Sequence, residues 1–276
     1  MAGITSVAWA RDEGNVTTGN TKGLVQTWDV LTREPRRTYY LLGPPSAVSS
    51  VAYSPDGKHL AVGFSGFTIG TRFCFGSGFA PPDSQTVSVL DTATGEITLT
   101  LEGAGGSVAY SSDGTHLASV WKDGGQTCDP INICDPVVAQ IWDTATGNLM
   151  PLDGPDFVKK IINFVGSVAY SPDGTHLAQT LYNPLNAPRS SILIWNTATG
   201  ELTNDLGAGQ CYYSVTYSPS GSYLASGEEG EVTIWDTATG ERNRTLTHGV
   251  GAVYSVSYSP DGKYLASGGA DGTVKI

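Results

Sequence analysis

Short apolar runs, each closed by Gly, Pro or Asp, recur along the whole chain. The clearest copy of the pattern extends from Val215 to Leu246 and contains four β-type runs separated by turns rich in Pro and Gly. Short runs bounded in this way are typical of β-strands and not of helices. The pattern therefore predicts an all-β fold made of one repeated four-stranded unit.

Each copy of the unit opens with a strand of the type Ser-Val-x-(Tyr/Trp). The valines of these six strands, which stand 41 to 60 residues apart, are Val7, Val51, Val108, Val168, Val215 and Val256. The shortest spacing matches the period of one four-stranded propeller blade, about 40–45 residues, and the longer ones are that unit plus an insertion. We predict one domain over residues 1–276, with repeats at about 4–46, 47–104, 105–164, 165–211, 212–252 and 253–276.

A second landmark ends the third run of five copies. It consists of the pairs Trp28-Asp29, Leu90-Asp91, Trp142-Asp143, Trp195-Asn196 and Trp235-Asp236. Because the pairs recur at one phase, the chain resembles a WD-repeat β-propeller over essentially its whole length. The near-identical turns from Asp91, Asp143 and Asp236 to a Gly four residues later also resemble the repeat arrays of fungal and bacterial signal-transducing NTPases. This resemblance implies a non-catalytic interaction scaffold or sensor.

The histidines depart from the family pattern. No Gly-His pair precedes the first strand of a copy, and His248-Gly249 has the reverse order. We therefore expect the buried His–Asp network of the family to be incomplete. His59, His116 and His176 follow the first turn of their copies, and we expect them to be exposed at the edge of the second strand.

The last copy stops at Ile276, in a third strand, where a Trp-Asp pair would follow. We expect the last blade to lack its outer strand, so that the chain is either a fragment of a longer array or has an open edge. A bare edge is a template for strand pairing. Self-assembly through the edge ending at Ile276 is therefore an alternative function.

The insertions predict where a partner binds. In an antiparallel meander of strands a to d, the segments from Ser65 to Gln85, Lys122 to Val138 and Tyr182 to Ser190 are all b–c loops, and 151–165 is a d–a loop on the same face. Recognition residues concentrate on such loops. The predicted binding residues are Phe67, Arg72, Phe73, Phe75, Phe79, Trp121, Lys122, Tyr182, Asn183 and Arg189. Two alternatives stay open: the phenylalanines form a local cluster over the blade, or the propeller binds a glycan or another small ligand.

Other chemistry is sparse. Cys128 and Cys134 are close enough in sequence for a loop-closing disulfide, and free thiols are the alternative, while Cys74 and Cys211 fall in other repeats. A zinc site needs four ligands, and the sequence offers no such set, so we predict no metal and no cofactor. No nucleophile elbow, zinc-protease helix or phosphate loop is present, and we expect no enzyme activity.

Charge and hydropathy limit the classes of partner that the chain is expected to bind. The formal net charge is -11, with only 15 Lys and Arg. A nucleic-acid surface needs clustered cations, so we expect neither nucleic acid nor an anionic membrane as a partner. No apolar run approaches the about 20 residues of a membrane span, and the first residues do not form a secretory signal. The expected partner is a protein, and the expected location is cytoplasmic.

Overall fold

A computed structural model gives the structure of the chain. It describes residues 3–12, 14–39, 41, 47–65, 86–122, 137–149, 164–183, 189–207 and 211–276. At some strand ends, including Trp121 and Lys122, it describes the backbone alone. Within these ranges all regular structure is β-strand, as predicted, and there is no helix long and apolar enough to cross a membrane.

The strands of the first four repeats form four sheets, each an antiparallel meander. The first sheet contains β1 (Ile4–Trp9), β2 (Asn15–Asn20), β3 (Val25–Asp29) and β4 (Pro35–Tyr39). The second contains β5 (Ala47–Tyr53), β6 (His59–Ser65), β7 (Thr86–Asp91) and β8 (Ile97–Glu102). The third contains β9 (Gly105–Tyr110), β10 (His116–Lys122) and β11 (Val137–Asp143). The fourth contains β12 (Phe164–Tyr170), β13 (His176–Asn183), β14 (Arg189–Asn196) and β15 (Leu202–Leu206).

The fifth and sixth repeats share one six-stranded sheet. Its strands are β16 (Ser214–Tyr217), β17 (Tyr223–Gly227), β18 (Glu229–Asp236), β19 (Arg242–Tyr258), β20 (Leu265–Gly269) and β21 (Val274–Lys275). The long strand β19 pairs with β18 through its first half and with β20 through its second half. The described residues therefore form five sheets, and the count of six separate blades stays a prediction.

The serine that opens each copy joins neighbouring repeats. Its hydroxyl accepts a hydrogen bond from the backbone N–H of the valine in the next first strand. The bonded pairs are Ser6 with Val51, Ser50 with Val108, Ser107 with Val168, Ser167 with Val215, and Ser255 with Val7, at 2.8–3.3 Å. The sequence pattern contained these serines, but their role appears only in the structure.

The junction between repeats five and six is different. The Ser214 hydroxyl is buried and has no hydrogen-bond partner among the described residues. Here the backbone N–H of Val253 donates to the carbonyl of Glu228 at 2.9 Å. At this junction a backbone hydrogen bond of the continuous sheet replaces the bond that the serine makes elsewhere.

The sixth repeat packs directly on the first, so the repeats close a ring. Besides the bond between Ser255 and Val7, the N–H of Trp9 donates to the Ser257 hydroxyl at 3.2 Å. A Cβ on Gly268 would lie 2.6 Å from Ile4 Cγ2. Because real Cβ atoms do not approach so closely, glycine permits this close packing.

The core lies between the sheets, because each repeat covers a face of its neighbour. Leucines at one position of the second strand are fully buried, and so is the alanine after each of them. They are Leu60-Ala61, Leu117-Ala118, Leu177-Ala178 and Leu224-Ala225. Val232 and Trp235 are also buried, as predicted from the apolar residues on both sides of the strand.

The turns divide the ring into two faces. The a–b and c–d turns lie on one face, which we call the turn face, and the b–c and d–a connections lie on the other, the loop face. On the turn face the predicted Pro-Asp-Gly turn forms at Asp56, whose carboxylate accepts hydrogen bonds from the Ser54 hydroxyl (2.6 Å) and the Lys58 N–H (3.0 Å). Gly57 supplies the positive φ of 72° that this turn requires.

Candidate functional site

The loop face carries the long connections predicted to bind a partner. Between β6 and β7 lie residues 66–85, between β10 and β11 residues 123–136, and between β13 and β14 residues 184–188. The first two are much longer than the segment 21–24 that joins β2 and β3, whereas 184–188 is of similar length to it. All three connections leave neighbouring repeats on the same side of the ring, which follows from the meander of each sheet.

The predicted binding residues fall into two groups. Phe67, Arg72, Phe73, Phe75 and Phe79 lie outside the described residues. The other five belong to strand ends and not to loops: Trp121 pairs with Val138, Lys122 with Val137, Tyr182 with Ser190, and Asn183 with Arg189. The hairpins of repeats three and four therefore continue further toward the loop face than the sequence pattern indicated.

The turn face carries a pocket that the sequence analysis did not predict. It lies between repeats one and two and has a volume of about 520 Å³. It is lined by Ala10, Arg11, Asp12, Asn15, Thr27, Arg37, Tyr39, Tyr53, Asp56, Gly57 and Thr92. We call this cavity the junction pocket.

Two residues of the lining, Thr27 and Tyr53, belong to a chain of three hydroxyl groups whose third member, Thr17, is buried and does not line the pocket. Thr17 Oγ1 lies 2.7 Å from Thr27 Oγ1 and 2.7 Å from the hydroxyl of Tyr53 in the next repeat. Thr17 and Thr27 are paired residues of β2 and β3, and both are buried. Burial raises the pKa of Tyr53 above its ordinary value of 10.0, and the hydrogen bonds with Thr17 and Thr27 oppose that rise.

Asn15 contributes a buried amide to the same pocket. Its side chain is 8% exposed, and its Nδ2 donates to the Asp12 carboxylate. Its Oδ1 has no hydrogen-bond partner among the described residues. A buried carbonyl oxygen without a donor is costly, and this atom has almost no surface accessible to solvent.

Two arginines and two aspartates surround the pocket. The Arg37 guanidinium donates to the backbone carbonyls of Thr92 and Ala93 in repeat two. Across the junction, the Ser54 hydroxyl and the Lys58 N–H hold the pKa of Asp56 below its ordinary value. Asp56 is therefore a carboxylate at neutral pH, and the described lining combines two cations with two anions.

Part of a buried His–Asp network is present in the last repeat, where His248 Nε2 has no hydrogen-bond partner among the described residues. His248 is buried, its Nδ1 lies 2.8 Å from the Ser267 hydroxyl, and its Nε2 lies 3.5 Å from the Asp271 carboxylate. The reversed order of His248 and Gly249 does not prevent the contact, because the bent strand β19 brings His248 beside β20. His59, His116 and His176 begin their second strands as predicted, but they are half-buried and not exposed.

The tryptophans keep their part of this network in several repeats. The indole N–H groups of Trp28, Trp142 and Trp235 donate to hydroxyls of the second strand, those of Thr18, Ser119 and Ser226, each at 2.9 Å. These bonds lie inside the blades and are structural.

The cysteines give one unexpected result. Cys211 is disulfide-bonded, and its partner lies outside the described residues. The predicted pair Cys128 and Cys134 lies outside them as well. No group of three or more His, Cys, Asp or Glu side chains that could hold a metal ion occurs in the described part of the chain.

Comparisons with known proteins agree with the β-propeller fold. The family model described as "WD domain, G-beta repeat" matches residues 34–69, 203–236 and 240–276. A chain in the crystal structure of the mitotic checkpoint complex is similar over 99% of this chain and 74% of that chain, with a TM-score of 0.62 and 22% sequence identity. At this identity the similarity shows the fold alone. No curated protein matches the sequence.

Proposed function

This chain is a WD-repeat β-propeller, and we propose that it is a protein-interaction scaffold that binds a partner through the loop face of repeats two to four. The one-sided placement of the long connections carries the proposal. The long connections 66–85 and 123–136 each join a second strand to a third, residues 150–163 lead to β12 on the same face, and the shorter segment 184–188 lies on that face as well. The turn face consists of short and nearly uniform turns.

The chemistry of the longest connection supports this surface. Residues 66–85 include Phe67, Phe73, Phe75 and Arg72. Aromatic residues and arginine are enriched in the centres of protein interfaces, and variable loops on a rigid scaffold are common recognition elements. The solved chain of similar fold belongs to the mitotic checkpoint complex, which agrees with a role in assembly.

The test compares partner recovery by the wild type and by a variant in which Phe67, Phe73 and Phe75 are changed to Ser. We expect the wild type to retain one or more proteins from an extract of its source, identified by mass spectrometry, and the variant to lose them. Near-ultraviolet circular dichroism would confirm that the variant keeps its fold.

Two exposed apolar residues provide matched controls. Leu31 is 89% exposed in the turn between β3 and β4, on the turn face, and Val250 is 87% exposed in the bend of β19, on the loop face but outside repeats two to four. Leu31→Ser and Val250→Ser should both keep the partner. Equal recovery by the triple variant would exclude the proposed surface, and loss in Val250→Ser would move the site to repeats five and six.

The proposal assigns no catalytic activity to the chain and a cytoplasmic location. Disulfides are rare in reducing compartments, so the bonded Cys211 counts against the cytoplasmic part of the proposal. Fractionation of the source cells with thiol labelling would test the location. Self-association through the edge at Ile276 stays a prediction, and light scattering over a range of concentrations tests it.

A further inference from the structure

We propose that Tyr213, Tyr254 and Glu229 form a binding site for a basic side chain, lysine or arginine, presented by a protein segment. We call these three residues the tyrosine site. Tyr213 directly precedes β16, Tyr254 belongs to β19, and Glu229 begins β18. The site therefore lies on the loop face at repeats five and six, and it does not depend on the partner surface of repeats two to four.

The two tyrosines occupy the position before the opening serine of a repeat, at the loop-face end of the first strand. In the first four repeats this position holds a small residue: Thr5, Ser49, Gly106 and Gly166. Each first strand contacts the first strands of both neighbouring repeats, so these positions follow one another around the inner edge of the ring. The two aromatic residues of the series consequently stand side by side.

The two rings form an edge-to-face pair that remains partly accessible. Their centroids are 5.7 Å apart, and their planes are inclined by 86°. Both side chains are half-buried. In such a pair, the ring that contributes its edge keeps its faces uncovered by its partner, and a cation is attracted to the face of an aromatic ring.

Glu229 places a carboxylate beside both tyrosines. The Tyr213 hydroxyl donates to its Oε2 at 3.2 Å, and its Oε1 has no hydrogen-bond partner among the described residues. Ala252, which pairs with Glu229, stands two residues before Tyr254, so Glu229 and Tyr254 project from the same side of the sheet. Burial and then the charge of Glu229 raise the pKa of Tyr213 and of Tyr254, which agrees with a position close to both.

The segments that meet at the tyrosine site contain three glutamates and no lysine or arginine. Residues 227–231 include Glu228, Glu229 and Glu231, and neither 211–214 nor 247–255 contains a Lys or Arg. Lys275 approaches the bend of β19, where its ammonium group donates to the carbonyl of His248. Among the described residues, none forms an ion pair with the Glu229 carboxylate. A cation supplied by a partner would provide the charge that this surface lacks.

The free acceptor selects a cation that carries N–H donors. The ammonium group of lysine and the guanidinium group of arginine can donate to Glu229 Oε1 while their charge lies against a tyrosine ring. Small-ligand sites bury most of their ligand, whereas Glu229 is exposed and the two rings are half-exposed. We therefore expect the cation to belong to a protein segment, whose other residues add contacts with the loop face.

The experiment is a titration of the intact chain followed by NMR shifts of the tyrosine ring protons. The probes are four blocked pentapeptides that carry lysine, arginine, norleucine or glutamate between glycines. We expect the lysine or the arginine peptide to bind saturably with a Kd of about 1 mM or tighter. Norleucine matches the length of lysine without its charge, and its peptide should bind at least about tenfold more weakly, as should the glutamate peptide. Added NaCl should weaken binding of the basic peptide.

Two variants test the site, and two matched variants serve as controls. Glu229→Gln removes the charge of an exposed residue, and Tyr254→Ser installs the residue that repeat two has at Ser49. Each should weaken binding by about fivefold or more. Glu231→Gln removes the same charge two residues away, and Tyr264→Ser removes a tyrosine that is 57% exposed on the turn face. Both controls should stay within about twofold of the wild type.

The triple phenylalanine variant of the partner surface should bind the basic peptide as the wild type does, so the two proposals succeed or fail separately. Several outcomes would overturn the tyrosine site. These are the absence of saturable binding by both basic peptides, equal binding of the norleucine peptide, and unchanged binding in both Glu229→Gln and Tyr254→Ser. Equal weakening by Glu231→Gln and Glu229→Gln would reduce the effect to general surface charge and would overturn it as well.

Discussion

The junction between repeats one and two and the junction between repeats four and five place different chemistry at the same three positions. In the first, Thr17, Thr27 and Tyr53 form a chain of hydroxyl groups. In the second, Ala178 and Ile194 pack against Tyr217 in an apolar cluster. Each trio consists of one residue from a second strand, its partner in the third strand and the tyrosine that ends the next first strand.

The difference shows how a repeat array can accommodate buried polar groups. The Tyr217 hydroxyl is buried and has no hydrogen-bond partner among the described residues, and burial raises its pKa. The Tyr53 hydroxyl is bonded to Thr17. Thr17, itself bonded to Thr27, therefore satisfies a tyrosine hydroxyl whose equivalent at the other junction is unpaired among the described residues, and the pocket lies beside Thr27 and Tyr53.

The largest expected effect is on packing in the apolar junction. Leu224 is fully buried there, and Leu224→Ala should lower the free energy of unfolding by about 2–5 kcal/mol. Urea denaturation followed by tryptophan fluorescence measures the change. The neighbouring exposed residue serves as the control, and Ser222→Ala should stay within about 0.5 kcal/mol of the wild type.

Making the apolar junction resemble the polar one should have the next largest effect. Ile194→Thr places a hydroxyl in a buried apolar cluster and should cost about 1–3 kcal/mol of unfolding free energy. Adding Ala178→Thr should recover part of that loss, because the two hydroxyls can then bond to each other and to Tyr217. A double-mutant cycle measures the coupling, and strictly additive losses would contradict this explanation.

Removing the central hydroxyl of the polar junction should have a smaller effect. Thr17→Ala deletes hydrogen bonds to Thr27 and Tyr53 and should cost about 1 kcal/mol of unfolding free energy. Because the bond with Thr17 lowers the pKa of Tyr53, the variant should also titrate that tyrosine at higher pH. Ultraviolet difference spectra against Tyr53→Phe identify it, and an unchanged Tyr53 titration would count against the hydroxyl chain.

The smallest effect concerns the turns beside the two junctions. Hydrogen bonds from Ser171 and from the Thr175 N–H lower the pKa of Asp173 from 3.8 to about 2, whereas repeat five has Ser220 at the equivalent position. The stabilisation from Asp173 is therefore present above about pH 4 and is lost as the pH falls through about 2. Asp173→Asn should be slightly less stable than the wild type at pH 7, with the difference gone near pH 2. Equal differences at both pH values in thermal melts would contradict the assignment.

The sequence predicts the fold well because its signals are local. The Ser-Val strands, the Pro-Asp-Gly turns and the Trp-Asp ends each report on one strand or turn, and they occur where the structure has β1, β5 and their equivalents. The burial of His248 beside β20 could not be predicted, because it depends on the bend of β19 and the order of His and Gly in the sequence gives no information on such a bend.

The sequence identified candidate residues on the loop face but not those of the junction pocket. The predicted loop-face residues Phe67 to Phe79 follow from insertion length and composition, and their role stays a prediction. Nothing in a single repeat marks Asn15 or Thr17 as unusual, since polar residues are ordinary on strands. Only an alignment of the six repeats against one another shows that repeat one departs from alanine and isoleucine, and that comparison could have identified the junction pocket.

The serine-to-valine bonds make the contacts between repeats independent of the loop connections. Each bond uses a first-strand hydroxyl and the backbone of the next first strand, and the bond from Ser255 to Val7 links the last repeat to the first in the same way. The loop connections contribute nothing to these bonds. A repeat can therefore acquire or lose a long insertion without altering the joints of the ring, so mutation can explore new binding specificities on the loop face while the assembly of repeats is inherited unchanged.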